Sequence, residues 1–206
     1  MLKLYSSDLC PFAHRARLVV SAKGIEHDRI QIDLREMPQW FKDLSPNQSV
    51  PFIQHDEKSL PESLIIMQYL DEAFGGLNLT PEDAYGRAKM RLALDTIGSK
   101  LVGVLSPVYR NPEAKLVADE ELWRQLEASL DSDGPFWLGA QLTLADLAAY
   151  PWFERWPLIE QRTGRKLNLP TRLKDWLDAV SRLPAVVQEA RPASYYLQAM
   201  ARPALR

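Results

Sequence analysis

A single thiol, Cys10, followed directly by Pro11, is the sharpest chemical feature of this sequence. Proline suits the first turn of a helix, where its missing N–H would have had no partner, so the spacing predicts Cys10 at a helix start. There the free N–H groups and the positive dipole end favour a thiolate, and such placement can lower a thiol pKa to about 3.5–7.5 from about 8.5. A thiolate is a nucleophile; the alternative for a lone cysteine is a small buried hydrophobe. Position 13 is Ala, so there is no Cys-x-x-Cys pair, and a mixed disulfide with an external thiol is the natural intermediate.

Two further pairs carry chemistry. A cis bond at Val50-Pro51 costs only about 0.5–1 kcal/mol relative to trans, and in a tight turn it would expose the Val50 backbone to an extended ligand. An ordinary trans proline of an edge strand is the alternative. Glu62-Ser63 opens a predicted helix: the Ser63 hydroxyl and N–H suit a ligand carboxylate, and Glu62 suits an ammonium, so together they fit an amino-acid head group. A helix cap with a favourable first-turn acid explains the same two residues. Thr143 to Asp146 reads as a capping box flanked by the Leu142/Leu147 staple, which makes Asp146 structural. Trp123, Trp137, Trp152, Trp156 and Trp176 are mainly helical core, with one or two left for a pocket. Ser6 and Ser7 are turn residues.

The elements that must position these groups follow from composition and pattern. The chain has 206 residues, 46% hydrophobic and 25% charged, enough for one or two folded domains. Its 25 basic and 27 acidic residues leave a net charge of −2, which gives no field for nucleic acid or anionic lipid. One Cys and three His argue against a zinc cage, and no metal is expected. The N-terminal residues enter a strand-like run without a leader, and no apolar stretch approaches the roughly 20 residues of a membrane helix, so a cytoplasmic protein is expected. Leu2–Tyr5 is a strand, Pro11 onwards a helix stopped by Gly24, with His14, Arg15, Arg17 and Lys23 off its apolar face, and His27–Asp33 a second strand. A short helix over Pro38–Leu44, two strands at Val50–Ile53 and Ser59–Leu60, and a helix over Glu62–Phe74 complete an α/β unit. Beyond a joint at Gly75–Thr80 the pattern is helical: Pro81–Leu105 ended by Pro107, then Glu113–Leu130, Leu144–Ile159, Thr171–Arg182 and Pro184–Ala190.

In order, Tyr5-Ser6-Ser7 through Cys10-Pro11-Phe12-Ala13, Val50-Pro51, Glu62-Ser63, Tyr69-Leu70-Asp71 and Leu142-Thr143-Leu144-Ala145-Asp146 resemble the cytosolic glutathione transferase superfamily over nearly the whole chain. Cys-Pro-Phe-Ala looks like its cysteine-type, omega-like branch, and also resembles the glutaredoxin Cys-Pro-Tyr-Cys with the second Cys lost. The resemblance implies an α/β plus all-α fold: a thioredoxin-like glutathione-binding domain at 1–76 and an all-helical domain with an acceptor pocket at 77–206. It implies that Cys10 forms a mixed disulfide with the co-substrate glutathione, and that Val50 pairs with the tripeptide backbone beside a cis Pro51. Glu62 and Ser63 would hold its γ-glutamyl end, Phe12 would pack near the thiol, and Tyr109 and Trp152 would line the acceptor pocket. Met37 stands where the omega-like pattern has a lysine for the glycyl carboxylate; Arg35 and Lys42 are candidates to replace it.

The implied activity is thiol transfer or dehydroascorbate-type reduction of a small electrophilic or oxidised acceptor, in a homodimer. A related alternative is conjugation, with Ser6 or Ser7 activating glutathione. A non-enzymatic alternative is an RNA polymerase-associated protein resembling stringent starvation protein A.

Overall fold

The computed structural model describes residues 1–111, 113–116, 120–166 and 168–201. Strand β1 (Leu2–Ser6) leads into α1 (Pro11–Lys23), and β2 (Asp28–Gln31) returns parallel to β1 with Leu4 opposite Arg29. After the short α2 (Gln39–Leu44), β3 (Phe52–His55) and β4 (Lys58–Pro61) form a hairpin; β3 lies antiparallel to β1, with Leu4 opposite Ile53. The sheet order is β2-β1-β3-β4, and α3 (Ser63–Ala73) packs beside α1. Tyr5, Ile32, Phe41 and Phe52 form a small apolar cluster, while Leu4, Leu18 and Ile53 belong to a larger core that continues into the helical part.

The helical part comprises α4 (Ala84–Thr96), α5 (Gly103–Arg110), α6 (Glu120–Ala128), α7 (Leu144–Glu154), α8 (Trp156–Thr163), α9 (Thr171–Ser181), α10 (Pro184–Glu189) and α11 (Ala193–Ala201). A π-helical segment, Ile97–Val102, joins α4 to α5. Pro107 does not end this run, because α5 continues to Arg110 and the Asn111 N–H still donates to the Pro107 carbonyl at 2.9 Å. The carbonyl that the proline ring would crowd, four residues back, belongs to Gly103, at the seam with the wider π turn. The helix expected over Glu113–Leu130 is shorter: 113–116 are irregular, 117–119 lie outside the described residues, and regular structure starts at Glu120. The run Leu144–Ile159 is two helices, broken at Arg155. Helix α11 has no counterpart in the sequence reading.

Helix α1 departs most from expectation. Pro11 occupies its first turn and Gly24, at φ +65°, supplies the left-handed stop. Its polar residues do not face water: His14, Arg15, Arg17 and Lys23 are all buried, because α3, α7 and α10 all pack against α1. Each therefore needs a partner from a distant segment. Lys23 Nζ donates to Asp71 Oδ1 at 2.9 Å and to the Leu77 carbonyl at 2.7 Å. Asp71 also accepts the Leu79 N–H at 3.1 Å. At this junction a Cβ on Gly76 would lie 2.7 Å from the Lys23 carbonyl oxygen, and its φ of +95° independently favours glycine. Among the described residues, no helix is long and apolar enough to cross a membrane, and no three His, Cys, Asp or Glu side chains gather as a metal site.

Candidate functional site

The β1–α1 turn delivers the thiol. Cys10 is the N-cap of α1: its N–H donates to the Ser7 carbonyl at 3.1 Å, and its Sγ accepts the Ala13 N–H at 3.4 Å. From there the S–H donates to the Val50 carbonyl at 3.5 Å. The Val50-Pro51 bond is cis. Both residues sit on the wall of a cavity of about 660 Å³ that opens between the α/β and helical parts.

Eight of the residues singled out from the sequence meet on that wall: Cys10, Phe12, Val50, Pro51, Glu62, Ser63, Tyr109 and Trp152. Phe12 meets Trp152 edge-on, centroids 5.4 Å apart, and lies under the guanidinium of Arg15 at 5.3 Å. Glu62 is the N-cap of α3 at φ +74°, and its Oε1 accepts from Asn47 Nδ2 at 2.8 Å. The Ser63 hydroxyl makes no capping bond; its Oγ accepts from Arg15 Nη1 at 3.3 Å. Arg35 and Met37 also reach the wall, whereas Lys42 does not. Neither Ser6 nor Ser7 lies there: Ser6 Oγ is buried and accepts from Arg17 Nη1 at 2.9 Å, and Ser7 faces a second, smaller cavity.

The thiol corrects one expectation. Cys10 is buried, 9% exposed, with the cavity as its outlet. Burial pushes its pKa up, although the Ala13 and Phe12 N–H groups and the charges of Arg155 and Arg17 pull it down. The helix start alone therefore does not make a low-pKa thiol, since desolvation opposes the charged form more strongly than the helix end favours it.

Arg155, which no local sequence signal marks, holds the turn. Its Nη2 donates to the Asp8 carbonyl at 2.9 Å and its Nε to the Leu9 carbonyl at 3.4 Å. Tyr109 Oη also donates to the Leu9 carbonyl, so this hydroxyl is occupied while its ring faces the cavity. Arg155 is fully buried beside His14, Glu154 and Tyr196. Burial, with the neighbouring Arg155 charge, lowers the His14 pKa to about 3 despite Glu154 Oε2 at 3.0 Å, so the imidazole is neutral. Asp146 is structural as expected: Oδ2 accepts the Thr143 N–H at 2.8 Å, and Oδ1 accepts the Trp137 N–H at 2.7 Å and Trp176 Nε1 at 2.8 Å.

Comparison with known proteins agrees with this architecture. Residues 4–78 match the family model of the glutathione S-transferase N-terminal domain, and residues 120–179 that of the C-terminal domain. The chain is 33% identical to glutathione S-transferase omega-1 of Sus scrofa over 90% of this chain and 79% of the relative. It is 30% identical to omega-1 of Mus musculus over 95% and 82%, respectively. The crystal structure of glutathione transferase Omega 3C from Trametes versicolor superposes with a TM-score of 0.80 at 27% identity, covering 98% of this chain and 89% of that one. With a four-stranded thioredoxin-like half, a helical half and relatives of the omega class along most of its length, the chain belongs to the glutathione S-transferase family.

Proposed function

We propose that this protein is a glutathione-dependent thiol transferase, with residues 1–76 binding glutathione and 77–206 supplying the acceptor side. The observation that carries the reading is the position of Cys10 Sγ: it faces the Val50 carbonyl at 3.5 Å on a wall shared with Glu62 and Ser63. Val50 offers backbone groups to the cysteinyl residue of an extended peptide. Glu62 and the first turn of α3 suit the ammonium and carboxylate of its γ-glutamyl end. Phe12, Tyr109 and Trp152 give the acceptor an aromatic surface.

In the reaction, the Cys10 thiolate attacks the glutathione sulfur of a disulfide RS–SG. The S–S bond breaks, RS⁻ leaves and takes a proton, and Cys10–S–SG forms. A second glutathione thiolate attacks the Cys10-bound glutathione sulfur, releasing GSSG and restoring the Cys10 thiolate. In the free protein the S–H donates to Val50, a contact that favours the neutral thiol. A peptide N–H placed on the same carbonyl would compete for that acceptor, which couples binding to ionisation. The single cysteine and Ala13 support the need for an external second thiol. With Ser6 and Ser7 away from the cavity wall, activation of glutathione by serine has no geometric support. No observation favours the RNA polymerase-binding alternative.

The exposed apolar stripe Tyr85, Ala88 and Leu92 on α4, together with exposed Ile65 on α3, supports a homodimer. Intact-mass measurement after incubation with oxidised glutathione tests the central reading. One glutathione adduct is expected on the wild type and none on Cys10→Ser; an unmodified wild-type protein would overturn it.

A further inference from the structure

Arg15 is a buried cation without a carboxylate partner, and the acidic group that favours its charge is the Cys10 thiol. It is 2% exposed, and among the described residues no carboxylate lies within ion-pairing distance of its guanidinium. Nε donates to the Ala148 carbonyl of α7 at 2.9 Å, Nη1 donates to Ser63 Oγ at 3.3 Å, and Nη2 is buried with no hydrogen-bond partner. Burying an unpaired charge is costly, so such a group persists where something else compensates it. The other buried cations on α1 differ: Arg17 faces Glu189 at 2.9 Å and Lys23 faces Asp71 at 2.9 Å.

The geometry at Ser63 shows what would compensate Arg15. A serine hydroxyl has one proton and two lone pairs. With Arg15 donating into one lone pair, the hydroxyl proton turns away from the guanidinium and is free to donate, at the first turn of an 11-residue helix whose own first N–H groups lack helical partners. An anion is the complementary ligand.

We propose that Arg15 is a positioning residue for an anion subsite: through Ser63 Oγ it fixes the hydroxyl as a donor to the α-carboxylate of a γ-glutamyl group, whose charge compensates the guanidinium. The inference rests on the proposed glutathione reading and adds a residue behind the cavity wall. Burial lowers the Arg15 pKa to about 10, which still leaves it charged at neutral pH. A neutral amino acid at position 15 would leave the Ser63 proton free to turn elsewhere. The bland role, a tie between α1 and α7 through Ala148, would affect every ligand alike.

Calorimetric binding of S-methylglutathione and of S-methyl 4-aminobutanoyl-Cys-Gly, which keeps the ammonium and lacks the α-carboxylate, separates the cases. The wild type is expected to prefer S-methylglutathione about 10- to 100-fold, the range of one charge-assisted hydrogen bond. R15M should lose most of that preference while binding the carboxylate-free peptide nearly as before, and S63A should lose it too, with little added in the double variant. Equal weakening of both ligands by R15M, or an intact preference, would overturn the inference. If R15M does not fold, R15Q, which keeps an amide donor for Ala148, decides by the same ratio. Failure of the wild type to bind either peptide would instead overturn the glutathione reading itself.

Discussion

Arg155 Nη2 donates to the Asp8 carbonyl at 2.9 Å, two residues before the thiol, although the two lie on opposite halves of the chain. The turn between β1 and α1 is thus aimed from outside its own sheet. Its Cys10 end is held by the Ser7 carbonyl and the Ala13 N–H, and its middle by Arg155 and Tyr109.

Arg155→Met should therefore affect both stability and reactivity. It leaves Glu154 buried without its adjacent guanidinium, a change that typically costs about 3–5 kcal/mol. Urea denaturation is expected to show a loss of that size, with Arg155→Lys recovering part of it. A midpoint equal to the wild type would contradict the clamp.

His14 makes stability depend on pH with a defined sign. Its folded pKa lies near 3, below the ordinary 6.5, so between these values the unfolded chain binds more protons than the folded one. Stability then falls as pH drops from about 6.5 towards 3, by up to about 1.4 kcal/mol per pH unit from this group. The difference between wild type and His14→Gln, measured by urea titration across the window, isolates it. A difference that stays flat with pH would show that the imidazole takes up a proton in place.

The thiol itself predicts slow alkylation at neutral pH. Burial raises the Cys10 pKa, so the rate of reaction of the free protein with iodoacetamide should climb with a midpoint above the ordinary value of about 8.5. Because the Arg155 charge opposes that rise, Arg155→Met should move the midpoint higher still. A midpoint near neutrality would mean that the helix end outweighs desolvation.

Glu62 sits at φ +74°, a region that side chains with a Cβ rarely adopt and that costs on the order of 1–3 kcal/mol. Glu62→Gly should raise the melting temperature while weakening S-methylglutathione binding, because the strain and the carboxylate leave together. Lower stability with unchanged binding would reverse the interpretation.

What could be read in the sequence was mostly local. Cys10 as N-cap, Pro11 in the first turn, Gly24 as stop and the Thr143/Asp146 box each depend on residues within one helical turn, so type and spacing were enough. Cys10, Phe12, Val50, Pro51, Glu62 and Ser63 lie in separate short motifs that the fold brings to one cavity wall, whereas Tyr109 and Trp152, on the same wall, carry no motif and follow only from the resemblance. What was missed depends on distance along the chain. Arg15, Arg17 and His14 looked like a polar face until α7 and α10 covered them, and Arg155 looked like one residue of a continuous helix. The low thiol pKa expected from the helix start fails for the same reason: what buries Cys10 comes in part from Val50, 40 residues away. Helix α11 escaped because its apolar residues carry no clear start or stop signal.

The grip of Arg155 on the Asp8–Leu9 segment makes the two halves one mechanical unit. A chimera that grafted this α/β half onto a foreign helical half lacking an equivalent arginine would lose both of these anchors on the segment that leads into Cys10.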